Sequence, residues 1–314
     1  MKKSVWLLLS VLLFITANVN ADDDRAVLNV KSASSQASNH NYTQIGKWHF
    51  SVAFGYGFKN NPLVKGDDFP LLILPSVYYY GENLFFENGD LGYTLISHAD
   101  YAVSAITRLN EEVVHFVDWH PSNILVTSFA NDVNSVQKNA SGDFGNDYLQ
   151  PENNAISSPR KLSFQQLENR QWSLDAGIQL DWFLTDFSQI RLRLLTDASQ
   201  VHYGENINLA YSAQHYFQNR WQINWSLGVD WLNQQLSQYY YGVDQRDTVD
   251  PTYFYQTNSA LNPYIKVSPS YQINQTWRLV SLFKYQLLDN ELQNSPIVKK
   301  KQRITWFVGL NYAF

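Results

Sequence analysis

The sequence predicts an all-β protein: a transmembrane antiparallel barrel, closed up-and-down, of about twelve strands, with ten as the lower count. Three observations predict it. Residues 221–232 place Trp221, Ile223, Trp225, Leu227, Val229 and Trp231 on one face of a strand and Gln222, Asn224, Ser226, Gly228 and Asp230 on the other. Trp221 and Trp231 then lie about 34 Å apart along the strand at ~3.4 Å per residue. With a tilt of ~40° they stand roughly 25 Å apart along the membrane normal, the height of the apolar band of an outer-membrane barrel. The same alternation recurs in 171–184 and 304–314, where Trp172, Trp182, Trp306, Val308, Leu310, Tyr312 and Phe314 share the apolar faces. Composition is the third observation: 15% aromatic against only 16% charged residues suits a chain whose polar side chains fill a lumen and whose aromatics mark two interfaces. The competing soluble fold is a secreted β-sandwich. Apolar strands in lipid require a closed sheet, because an open edge leaves backbone groups without partners.

Lys2 and Lys3, an apolar run from Val5 to Ile15 and Val19-Asn20-Ala21 predict a secretory signal peptide over 1–21. That run is too short to span as a helix. Residues 22–46, rich in Ser, Ala and Asn, predict a flexible periplasmic tail, and 47–314 the barrel domain. The chain has no cysteine, so disulfides and thiolate metal sites are excluded.

Strands are predicted at 47–58, 69–80, 84–96, 101–117, 122–136, 171–184, 189–201, 206–216, 220–232, 262–273, 276–288 and 303–314, with the weakest alternation between 84 and 136. Connections alternate in length: 185–188, 217–219 and 274–275 are short, whereas 137–170, 233–261 and 289–302 are long. With Phe314 in the periplasm, the short turns fall inside and the long loops outside. Register gives a further expectation. Strands 206–216 and 220–232 both turn odd positions outward, as do 262–273 and 276–288, so paired residues must sum to even numbers. Three-residue turns such as Asn274-Gln275-Thr276 satisfy this, and Asn tolerates the left-handed conformation they use.

Several pieces together resemble the MltA-interacting protein (MipA)/OmpV family. They are Gly55-Tyr56-Gly57, Asn61-Pro62, Asp68-Phe69-Pro70, Leu74-Pro75-Ser76-Val77-Tyr78-Tyr79, Tyr240-Tyr241-Gly242-Val243, Asn294-Ser295-Pro296-Ile297-Val298 and the ending Gly309-Leu310-Asn311-Tyr312-Ala313-Phe314. They stand in the family's order over nearly all of the chain after residue 46, while 97–170 lack the family's glycine-rich regularity. The resemblance implies a barrel in the cell outer membrane. It also implies a non-enzymatic scaffold that brings a lytic transglycosylase to a penicillin-binding murein synthase. Other members are linked to adhesion, osmotic response or antibiotic susceptibility, and the family supplies no catalytic residues to transfer. Lipids and lipopolysaccharide would surround such a barrel. The insertion machinery would read its last strand, with Trp306, Val308, Leu310, Tyr312 and Phe314 as the assembly signal. Trp172, Trp182, Trp221, Trp225 and Trp231 are the expected lipid-interface aromatics.

Other functions fare less well on the residues. His120-Pro121-Ser122-Asn123 places a His and a Ser two apart, as outer-membrane lipid hydrolases do. Pro121 breaks a strand ladder, however, and Ile124 stands where the phospholipase motif has glycine, so a periplasmic turn is the expectation. His98, His115, His120, His202 and His215 show no ligand spacing, so neither metal nor cofactor is expected. A formal charge of −5 without a basic stripe argues against nucleic acid as a partner. Tyr78-Tyr79-Tyr80 is expected in an aromatic girdle and Tyr239-Tyr240-Tyr241 in loop packing. Asp175, Asp181 and Asp230 should face inward beside Arg191, Arg193, Arg278 and Lys284. Such mixed signs suggest an internal ion-pair network, and a small channel or solute-uptake barrel is the alternative reading.

Overall fold

The computed structural model describes residues 46–117, 120–123, 161–218 and 220–314. Within them twelve antiparallel strands form one closed barrel. They are β1 (Trp48–Lys59), β2 (Phe69–Tyr80), β3 (Leu84–Glu87), β4 (Asp90–Ser97), β5 (Tyr101–Leu109), β6 (Leu174–Thr185), β7 (Ser188–Asp197), β8 (Glu205–Phe217), β9 (Trp221–Leu232), β10 (Ala260–Gln272), β11 (Trp277–Leu287) and β12 (Gln302–Ala313). Two short helices, α1 (Gln234–Tyr241) and α2 (Asn290–Gln293), lie in the long loops. No described helix is long and apolar enough to cross a membrane.

Closure pairs β1 with β12, from Ser51↔Ala313 to Lys59↔Thr305. The seam is tight because it is glycine-lined. A Cβ on Gly55 would lie 2.1 Å from the Val308 carbonyl oxygen, and one on Gly57 2.0 Å from that of Trp306. The predicted parity holds: Asn206 pairs with Leu232, and Tyr264 with Gln286. Between β10 and β11 the Asn274 side chain accepts the Thr276 and Trp277 N–H groups, an Asx turn that closes the hairpin.

Four strand predictions need correction. The stretch 84–96 is a hairpin, not one strand. Asn88 (φ 46°) and Gly89 (φ 107°) both adopt positive φ, as a two-residue type I′ turn requires. The strand from Tyr101 ends at Leu109, and Glu112–His115 form a buried 3-10 turn. The expected strand 122–136 does not start where proposed, since Pro121–Asn123 are a 3-10 turn; its remainder lies outside the described residues. Among the described residues the count is twelve, with one predicted strand divided in two. The strand expected from 171 starts at Leu174, which leaves Trp172 ahead of β6.

The interior is filled along two arcs. Ala53, Leu71, Leu74, Val280, Leu282 and Phe307 pack together inside the seam side. Tyr78, Tyr80, Phe85, Ile106 and Leu195 form a second apolar cluster beside it. Tyr78 and Tyr80 stack with centroids 6.4 Å apart, so two of that tyrosine run face the lumen rather than a girdle. Opposite them, β6 to β10 turn buried Gln179, Asp181, Arg191, Gln214, Gln222, Ser226 and Lys266 inward.

Candidate functional site

The long connections assemble a cap. Leu63 from the β1–β2 loop, Val113, Leu162 and Leu167 from the β5–β6 connection, and Leu236, Tyr240 and Tyr241 from α1 form one buried apolar core. Leu292, Ile297 and Val298 from the β11–β12 loop complete it. Asn233 starts α1 by accepting the Leu236 N–H, and the helix buries Leu236, Tyr240 and Tyr241. The predicted loop packing of the second tyrosine run is what the structure contains.

Four of the pieces that carry the family resemblance, those at Asn61, Asp68, Tyr240 and Asn294, meet at this cap, and the other three lie in the barrel strands. The Asn61 amide donates to the His115 carbonyl at 3.0 Å and accepts the Leu63 N–H at 3.0 Å. Asn61 N–H in turn donates to Asp68 Oδ1 at 2.8 Å. Val64 N–H donates to the Ile297 carbonyl, and Lys299 N–H to that of Pro62. Ser295 Oγ donates to the Tyr241 carbonyl at 2.7 Å. Segments that look independent in sequence thus form one latch, closed by a buried polar cluster. Arg303 Nη1 donates to Glu112 Oε1 at 2.9 Å, and Tyr241 Oη to Glu112 Oε2 at 2.5 Å. Burial pushes the Tyr241 hydroxyl well above its ordinary value, and Glu112 reinforces the shift against the opposing pull of Arg303, so it remains a donor.

Between the cap and the apolar arc lies a chamber of about 140 Å³, bordered by Lys59, Asp90, Arg108, Glu111, Asp175, Arg193, Asp230, Lys284 and Arg303 among others. Its charges are interlinked. Arg191 Nε donates to Asp181 (2.5 Å), Gln179 Nε2 to Asp181 (2.6 Å) and Arg193 Nε to Gln179 (2.8 Å). Arg193 Nη2 then meets Asp90 (3.1 Å), which also meets Arg108 Nε (3.3 Å). A polar ladder therefore climbs the wall into the chamber. Asp230 accepts Asn208 (2.7 Å) and Gln286 (2.8 Å), and Lys284 lies 4.6 Å from the Tyr264 ring centroid. The inward residues read from the sequence are brought together here, except Arg278, which bonds Gln272.

His120 is fully buried on the loop side of the barrel, T-shaped against Trp172 with centroids 4.7 Å apart. It is thus not in a periplasmic turn. Its contact with Ser122 runs from the main-chain N–H to Nδ1 at 3.2 Å, not from the hydroxyl. Burial lowers the His120 imidazole to about 4. His115, also buried, is held well below the ordinary value, first by burial and then by Arg303, Lys59 and Lys284.

Sequence spacing gave no hint of the cluster Asp175, Asp197 and His202, because topology rather than proximity in the chain assembles it. Asp197 accepts the main-chain N–H groups of Ser199, His202 and Tyr203. His202 Nδ1 accepts from Gly204 and its Nε2 lies 3.0 Å from Asp175. These lone pairs are used in shaping the β7–β8 loop.

On the outer surface, Trp182 and Trp221 sit exposed near the short-turn end, and Trp231 is half-buried at the opposite end of β9. Trp225 lies between them against Tyr211, with centroids 5.4 Å apart. Val308 and Leu310 are exposed on β12 and Phe314 just beyond its end, with Trp306 and Tyr312 part-covered on the same face of the strand. Trp306 is flanked by Tyr56 and Phe58.

A family model described as MltA-interacting protein MipA matches residues 52–314. The chain belongs to the MipA family. Like its relatives it is an outer-membrane barrel. The "MltA-interacting protein" of Escherichia coli (strain K12) is 26% identical over 149 residues, which are 47% of this chain and 59% of that protein. The chain thus spans less than two-thirds of that relative's length. "Putative outer membrane protein YiaT" of the same organism is 26% identical over 28% of this chain and 37% of its own. Among solved structures, a bacterial polysaccharide outer membrane secretin aligns over 88% of this chain and 99% of its own, at 7% identity and a TM-score of 0.39.

Proposed function

We propose that this MipA-family barrel is a non-enzymatic scaffold at the outer membrane that recruits murein-remodelling proteins, a lytic transglycosylase and a penicillin-binding murein synthase, on its periplasmic side. The capped mouth carries the reading. Three long connections spend their apolar residues on one shared core over the lumen, an investment in rigidity rather than in passage. The printed name of the E. coli relative, an MltA-interacting protein, supplies the kind of partner.

The described periplasmic turns are short, so they offer little of the ~800 Å² per partner of a standard interface. On this reading residues 22–46, which would follow a signal peptide at 1–21, supply most of the contact. The test is recovery of partners from detergent-solubilised outer membranes by the full mature chain and by a chain lacking 22–46. Co-purification of a transglycosylase or murein synthase with the first and its loss with the second is the expected result. Equal recovery by both, or by neither, contradicts it.

A further inference from the structure

The barrel wall steps down on one side. β3 has only four residues and turns back at Asn88-Gly89, and its pairing with β2 is confined to Tyr78–Tyr80. Above that turn, β2 residues 69–76 have no strand partner on this edge among the described residues. Among the described residues, two strands are missing here, which leaves a notch nominally about 14 Å wide, three spacings of ~4.8 Å. The floor is finished off: the Val77 N–H donates to Asn88 Oδ1 at 2.7 Å, and the Asn88 N–H to the Val77 carbonyl at 3.0 Å. Pro75, two residues from Val77 and on the same edge by strand alternation, removes the next donor that the notch would strand.

The notch reaches the chamber. Leu71, Asn88, Gly89, Asp90, Arg108 and Leu109 border both. Leu109 pairs with the exposed Leu174 and so belongs to the outer face of the wall. On the lipid side, alternation breaks so that Leu72 (53% exposed) and Ile73 (54%) both face outward beside the gap. A polar chamber therefore meets an apolar track through a break in the wall.

We propose that the notch is a lateral binding site for a single-chain zwitterionic amphiphile of the lysophosphatidylethanolamine type, its headgroup in the chamber and its acyl chain along Leu72 and Ile73. Two features select this class. Among the described residues the chamber border carries five basic and five acidic side chains, a balance suited to a head of both signs. At about 140 Å³ it falls below the ~300 Å³ at which sites for whole small molecules begin. It thus takes a headgroup and excludes the phosphorylated disaccharide of a multi-chain lipid. The site is independent of the scaffold reading.

The test uses the full chain in nanodiscs with lysophosphatidylethanolamine bearing a photoreactive group near the head end of its chain. Cross-links mapped by mass spectrometry should be at least fivefold denser on residues 70–76, Asp90 and Arg108 than on the lipid face of β9. They should drop at least fivefold in a Leu72→Trp/Ile73→Trp variant that still migrates as a folded barrel. Even labelling around the barrel, or undiminished labelling of the double variant, overturns the site. Equal labelling by the anionic phosphatidylglycerol analogue, or displacement by lipid A, overturns the ligand class. Should the double variant fail to fold, the wild-type map and the two competing lipids decide the matter alone.

Discussion

At the scale of single residues, Asn61 and Gly57 hold different parts of the molecule. Asn61 side-chain bonds serve a buried carbonyl and a buried N–H in the cap. Removing them in Asn61→Ala leaves both partners unsatisfied, at about 1–3 kcal/mol each. The expected outcome is a folded barrel whose cap loosens, read as faster hydrogen exchange at Leu63 and faster proteolysis near His115. Unchanged protection would contradict the latch. Gly57 has no such slack. Any Cβ there meets the Trp306 carbonyl oxygen at 2.0 Å and the Phe307 Cα at 2.6 Å, both backbone. Gly57→Val should therefore abolish the compact, heat-modifiable form on unboiled gels. Normal migration would mean that the seam can open by an ångström or more.

At the scale of elements, the cap should respond to acid. His115 and His120 are buried and have depressed values, His120 at about 4. A histidine held neutral in the folded state binds protons more readily once released. Its contribution is then complete above the ordinary value of ~6.5 and is lost as pH falls towards about 4. Limited proteolysis at pH 7.5, 5.5 and 4 should show cap cleavage rising through that window while the strands stay protected; a flat profile contradicts the assignment. β12 carries the other prediction at this scale. Tyr312 sits T-shaped on Trp277 and Phe314, both at 5.0 Å, and Phe314 N–H donates to the Phe50 carbonyl. Deleting Phe314, or Tyr312→Asp, should leave the chain secreted but poorly inserted. The carboxylate adds a cost on the order of 1 kcal/mol near the interface. Normal levels of compact barrel in the outer membrane for both variants would contradict the assembly role. β6 to β12 were legible because their alternation is strict. β3 and β4 were not read, although Asn88-Gly89 is a strong two-residue hairpin signal. There the weak alternation between 84 and 136 left the turn without two clear strands to join. The burial of Glu112–His115 was hidden too, since it comes from contacts with Arg303 and Asn61, far away in sequence.

At the scale of the whole molecule, the barrel is a filled vessel. Apolar side chains occupy one arc of the lumen, an ion-pair ladder the other, and an apolar cap closes the mouth. Strand alternation announced inward charges such as Asp181 and Arg191. It also put Val280, Leu282 and Phe307 inward, but it could not announce that they pack with Ala53, Leu71 and Leu74 into one apolar arc. Nor could it reveal the cap, which joins residues more than two hundred positions apart, such as Pro62 and Lys299. Single-channel recording in planar bilayers tests the sealed vessel most directly. The purified protein, shown to be folded by heat-modifiable migration, should produce no steady conductance at neutral pH across the voltage range used for porins. A stable open level at neutral pH, reproduced across preparations, would contradict the sealed lumen and restore the channel reading.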